Sequence, residues 1–474
     1  MPPAKPHTSG TSTPNCGYES PLEDHHPAFF HAESASAPTP AQPQCVSSLP
    51  GARPEGAAAG PSKRPVYVSR PSFMTASSPI SPQDTAGAQM SSAGSNPSSL
   101  DDMVEKANKP PAKAKVGLRD RIACYQWTYF TMTMATGGVS NVLHMLPYDA
   151  PWLMGVGTSF FLLNITLFLT NCVLICTRFC MRPGSFVHSF TDQVESLFIP
   201  AFFVSIAIIM INICEYGVPN SGVWLLRTME ILFWVYVGIS AIASAGMYLI
   251  LWSTLVFPVH MMTPTWVFPA YPLLLTAPLA ANLIVAADAS GHRLSLNMPA
   301  VAFGAATTQG TGCLIAFMIS AAFIYRLMTQ KLPRDMQRPG VFISIGPFGF
   351  TAAGIAQLGS QANKVLPPDF LGSPHSADII RIVSLLVSLW LWGLSMWFFL
   401  VSVGSLWKYC RFGHKMPFQM TWWSFVFPNT ALVTATQVMG DIFDSNGLRM
   451  FGAVMTAILV VVWLGVFATM IVLE

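Results

Sequence analysis

The sequence predicts an all-α polytopic membrane protein, ten transmembrane helices arranged as five helical hairpins, and three observations predict it. Hydrophobic residues make up 52% of the 474 positions and charged residues only 10%, whereas a soluble domain carries about 25% charged residues. About ten apolar segments, each near the roughly 20 residues that cross a bilayer's hydrocarbon, follow one another through the last three quarters of the chain. Finally, every second segment is interrupted. The first carries Thr136-Gly137-Gly138, the third Pro200, the fifth Pro269, Pro272 and Pro278, the seventh Gly346-Pro347, and the ninth Phe427-Pro428. Segments two, four, eight and ten are unbroken and rich in Leu, Ile, Val, Trp and Phe. A proline leaves a carbonyl without its helical donor, which lipid does not tolerate but a neighbouring helix or a wet pore does. The alternation therefore places interrupted helices inside and continuous ones against lipid.

Residues 1–115 are rich in Pro, Ser, Ala and Gly and lack apolar periodicity, so they are expected to form a disordered cytoplasmic tail. No cleavable signal peptide is visible in the first residues. The tail ends in Lys106, Lys109, Lys113, Lys115, Arg119 and Arg121, a basic approach to the inner leaflet. The membrane domain, 116–474, holds the spans, expected at 125–146, 152–176, 197–216, 231–257, 264–287, 298–328, 341–361, 379–406, 418–439 and 448–473.

Charge in the connections orients them. With the first segment entering from the cytosol, the inside connections hold Arg178 and Arg182, then Arg326, Lys331, Arg334 and Arg338, then Lys408, Arg411 and Lys415. The outside ones hold Arg227, Arg293, Lys364, Arg381 and Arg449. This asymmetry satisfies the positive-inside rule with both termini cytoplasmic.

The chemistry of the spans is neutral. Glu215, Arg227, Glu230, Asp288 and Arg326 fall near segment ends, where side chains reach headgroups or water. No paired carboxylates, nucleophile constellation or phosphate loop emerges, so no catalytic residue, cofactor or metal site is assigned. Cys172, Cys176 and Cys180 share a helix face but lack His or acidic partners, and read as small buried hydrophobes. Scattered basic residues give no nucleic-acid footprint. The interior polar residues are uncharged: Thr133 and Thr136 in the first segment, Gln309 in the sixth, Asn429 in the ninth. They either line a neutral passage or bond neighbouring helices. Such a passage suits a small anion, held weakly by N–H groups at the broken helices after Pro269, Pro347 and Pro428 rather than by a deep cation. The carbonyl that each proline exposes opposes this. His144 and His260, near opposite faces, offer proton exchange or interfacial hydrogen bonds, and Trp422 and Trp423 read as interface anchors.

Several stretches resemble fungal malic acid transport proteins: Phe130-Thr131-Met132-Thr133-Met134-Ala135-Thr136-Gly137-Gly138, Thr263-Pro264-Thr265-Trp266-Val267-Phe268-Pro269, Gln309-Gly310-Thr311-Gly312, Gly346-Pro347 and Trp422-Trp423-Ser424-Phe425-Val426-Phe427-Pro428-Asn429. The chain from about Gly117 onward is thus similar to the tellurite-resistance and dicarboxylate transporter family, which also contains fungal sulfite efflux pumps and plant guard-cell slow anion channels. The resemblance implies a slow-anion-channel-like fold, five hairpins around a central pore, commonly as a homotrimer, with a ninth-helix phenylalanine as gate. Phe427 matches that gate, and Asn429 resembles the malate branch. Thr133, Thr136, Gly137, Gly138, Pro269, Gln309, Gly346, Pro347, Phe348, Pro428 and Asn429 are the candidate substrate path. The implied activity is transport of malate and related C4-dicarboxylates at the plasma membrane, with proton coupling open and sulfite or another small inorganic anion as the alternative.

Overall fold

A computed structural model describes residues 117–148, 150–291, 296–410 and 416–473; the tail expected at 1–115 lies outside them, as do Arg293, Arg411 and Lys415. Ten long elements carry the fold: α1 (Phe130–His144), α2 (Pro151–Met181), α3 (Pro200–Asn212), α4 (Val223–Thr254), α5 (Thr276–Ala289), α6 (Met298–Gln330), α7 (Ile345–Ser360), α8 (Ser376–Ser405), α9 (Phe427–Ile442) and α10 (Asn446–Leu473). Eight helical stretches among the described residues are long and apolar enough to cross a membrane. The helices α1 and α9, of 15 and 16 residues, are shorter than that.

The odd-numbered helices form a closed ring, α1 against α3, α3 against α5, α5 against α7, α7 against α9 and α9 back against α1. The even-numbered ones lie outside: α2 on α1, α4 and α6 on α5 and the turns before it, α8 on α7, α10 on α9 and α1. Burial follows the alternation legible in the sequence. The stretches containing α5 and α7 are 89% buried and that containing α3 72%, while the outer helices reach only 17–33%. Every residue from Phe130 to Leu143 and from Phe427 to Gly440 is buried, as expected for helices surrounded on all sides by protein.

Small residues let the inner helices approach. A Cβ added to Gly349 of α7 would come within 2.8 Å of the Ala431 backbone on α9, and one on Gly138 of α1 within 2.9 Å of Thr430. Only glycine permits either contact, and such small-residue faces are how helices pack when lipid supplies no hydrophobic drive between them.

Three of the interruptions take one form. α5, α7 and α9 are preceded by 3₁₀ runs, Pro264–Leu275, Asp335–Ser344 and Met420–Phe425, although such runs rarely exceed three or four residues. Pro200 and Pro428 stand in the first turn of α3 and α9, where the missing N–H has no intrahelical acceptor anyway. Pro347 and Pro428 thus stand where tight winding gives way to α-helix, whereas Pro200 follows the α-helical turn Glu195–Phe198 and Pro269 and Pro272 lie inside their 3₁₀ run.

Candidate functional site

At the ring end that carries Arg178, Arg326, Arg334, Arg338 and Lys408, a cavity of about 220 Å³ opens between the inner segments, its wall including Leu197, Phe198, Thr265, Trp266, Gly340 and Thr421. From its floor an aromatic series runs inward. The Phe198 and Phe268 ring centroids lie 5.0 Å apart, Phe268 stacks on Tyr271 at 5.0 Å, Tyr271 meets Phe427 at 6.1 Å, and Phe427 meets Phe350 at 5.2 Å. Phe427, the first residue of α9, is only 2% exposed. Three inner segments therefore converge on one aromatic cluster of Tyr271, Phe350 and Phe427.

The carbonyls released by the prolines are not left bare. In α-helical register Pro347 leaves the Ile343 oxygen unserved, and the Tyr271 hydroxyl donates to it at 2.6 Å. In 3₁₀ register Pro269 leaves that of Trp266, which accepts from the Tyr248 hydroxyl at 3.1 Å. Beside Pro428, the Phe425 carbonyl accepts from Asn429 Nδ2 at 2.8 Å. A hydrogen-bonded carbonyl presents less negative potential, so the anticipated repulsion of anions at these breaks is reduced.

The other residues singled out from sequence divide by what they touch. Thr133 bonds Ser205 of α3, and Thr136 accepts from Trp463 of α10 at 3.1 Å. Gln309 of α6 accepts from the Ala277 N–H and donates to Thr351 of α7 at 2.9 Å. Gly137 packs against Asn164 and Ile208, and Gly346 against Tyr271. Pro269 is buried within its 3₁₀ run. Phe348 stacks on Phe398 of the outer helix α8 at 5.6 Å, away from Phe350. Asn429 borders an apolar groove between α8 and α10 that Phe425 also lines.

Several expectations are corrected. Glu215, in the π-turn Ile213–Gly217 that ends α3, is 7% exposed, and both carboxylate oxygens are buried without a hydrogen-bond partner; position near a segment end did not bring it to water. Arg326 is buried as well, at 4%. Trp423 is no interface anchor: it is fully buried near Trp463 and Phe467 of α10. Cys176 and Cys180 are exposed rather than buried, because the outer face of α2 has no protein neighbour. Tyr271 and Phe350 are not among the residues singled out above; an aromatic within three residues of a proline, in Ala270-Tyr271-Pro272 and Pro347-Phe348-Gly349-Phe350, is the signal the sequence offers.

Comparison with known proteins matches residues 124–471 to the SLAC1 family model, described as voltage-dependent anion channel. A malic acid transport protein of Schizosaccharomyces pombe is 28% identical over 74% of this chain and 78% of its own. A sulfite efflux pump of Trichophyton rubrum is 27% identical over 72% and 88%. An uncharacterized transporter of Methanocaldococcus jannaschii is 25% identical over 69% and 88%.

Proposed function

The chain belongs to the voltage-dependent anion channel family, and on that footing we propose that it carries malate and related C4-dicarboxylates across the membrane, through the ring of inner helices, with Phe427 as gate. The observation that carries this reading is the convergence of Tyr271, Phe350 and Phe427 at the inner end of the aromatic series below an open cavity. Ten spans in five hairpins, α1 with α2 through α9 with α10, is the arrangement we infer, and the alternation of buried and exposed helices supports it. Binding by backbone N–H groups and neutral side chains holds an anion loosely enough to release it. The likeness to the Schizosaccharomyces pombe malic acid transport protein supports the substrate.

The second reading, sulfite or another small inorganic anion, is favoured by the likeness to sulfite efflux pumps. Both termini lying in the cytosol is supported by the distribution of Arg and Lys among the connections, and residence in the plasma membrane and assembly as a homotrimer by the family resemblance. Labelled-malate uptake in a transporter-deficient cell tests the substrate: saturable malate flux without protection from sulfite is expected, and the reverse pattern favours the alternative. Proton coupling predicts flux that rises on acidification after correction for malate speciation; indifference to external pH rejects it.

A further inference from the structure

A second cavity lies beside the first. Near the last turn of α6, Arg326 is 4% exposed. Its Nη1 donates to the Lys331 carbonyl at 2.7 Å and its Nη2 to that of His260 at 3.2 Å, while Nε is buried without a partner. The Lys331 backbone reaches this position at φ 65° and ψ −171°, a region that side-chain-bearing residues avoid. Among the described residues no carboxylate pairs with Arg326 or with the exposed Arg334. The nearest acid in sequence, Asp335, is taken by Lys408 at 2.7 Å and Arg338 at 3.4 Å.

These groups surround a cavity of about 220 Å³ whose walls include His260, Arg326, Gln330, Arg334 and Gln337, with no acidic side chain. Met261 and Gln337 belong both to it and to the cavity that leads to the aromatic cluster. On the same turns of α6, Tyr325 and Met328 are 68% and 84% exposed, so the pocket sits where the apolar outer surface gives way to polar groups.

We propose that the His260–Arg326–Arg334 pocket binds a phosphate group, carried by an inner-leaflet lipid or free in solution. Carbonyls rather than carboxylates meet the Arg326 guanidinium, no carboxylate offsets either arginine's charge, and the donors are of the kind that grip tetrahedral oxyanions. The site is independent of what passes through the ring.

The test uses the full-length protein in phosphatidylcholine nanodiscs and reads binding rather than transport. Phosphatidate in the disc, inorganic phosphate and malate are titrated separately, with thermal unfolding and native mass spectrometry as readouts. Arg334→Gln and His260→Gln alter exposed side chains and spare the carbonyl contacts of Arg326; Arg182→Gln, an exposed basic change elsewhere on the same end, is the control. Arg334→Gln is expected to weaken phosphatidate binding roughly fivefold, the attraction of one basic residue to an anionic surface, His260→Gln to weaken it further, and Arg182→Gln to leave it unchanged. Stabilisation by inorganic phosphate that competes with the lipid identifies the free source; stabilisation by phosphatidate alone identifies the lipid. Equal binding by wild type and the Arg334→Gln/His260→Gln double variant, or stabilisation by malate alone, overturns the assignment.

Discussion

The hydroxyl of Tyr271 donates a 2.6 Å hydrogen bond to the carbonyl of Ile343, four residues before Pro347, whose ring nitrogen has no proton to give. One side chain thus closes the backbone defect of a neighbouring segment while its ring rests against Phe427.

Tyr271→Phe keeps the ring and removes the donor. The orphaned buried carbonyl is expected to cost about 1–3 kcal/mol, visible as a lower unfolding temperature of the purified protein. On the proposed path, anion flux per molecule in liposomes should fall too, because the uncapped Ile343 carbonyl regains its negative potential. Unchanged stability and flux would remove the capping role.

Phe427→Ala separates plug from packing by sign. Truncating a packed phenylalanine costs about 3–5 kcal/mol and lowers the amount of folded protein, whereas unplugging raises flux or basal anion leak per surface molecule. The gate reading expects the increase, smaller for Phe427→Leu. Phe425→Ala should not reproduce it, since Phe425 contacts Phe342 and Trp422 and lines the groove between α8 and α10. Leak from Phe425→Ala alone would reassign the gate.

Arg178 and Glu195 form a buried bidentate pair, Nη2 to Oε2 at 3.0 Å with a second contact from Nη1 to Oε1, and Glu195 also accepts the Trp127 N–H at 3.4 Å. The pair ties the end of α2 to the segments leading into α1 and α3. Glu195→Ala strands a buried guanidinium and should cost about 3–5 kcal/mol. Arg178→Met combined with Glu195→Leu should recover most of the loss in a thermal melt. A double variant no more stable than Glu195→Ala would contradict this account.

Removing residues 1–110 is expected to leave intrinsic flux intact, because Lys113, Lys115, Arg119 and Arg121 remain to orient the first span. Liposome flux per inserted molecule measures this; its loss would reveal a functional part in the tail.

The inside-outside order of the helices was legible because lipid punishes backbone defects, and Pro269, Pro347 and Pro428 advertise them in the sequence. What met Phe427 was not. Tyr271 and Phe350 reach it from two other segments of the chain, and a helix buried on every side shows no periodic stripe to say which face looks inward. Phe348 illustrates the loss: two positions from Phe350, it turns to Phe398 on an outer helix instead. Glu215 was misplaced for a related reason. Its nearness to a span end is a property of one helix, whereas its burial is set by the neighbours that pack over the π-turn.

The α1–α9 seam has a consequence for synthesis. Gln437 Nε2 reaches the Val142 carbonyl at 3.3 Å across 295 positions, so the first inner helix meets this neighbour only after α9 has left the ribosome. At about 5–20 residues per second, α1 waits roughly 15–60 s with its glycine face unsealed. Nascent chains halted before α9 therefore carry an incomplete wall, and the ring can shut only once α9 has emerged.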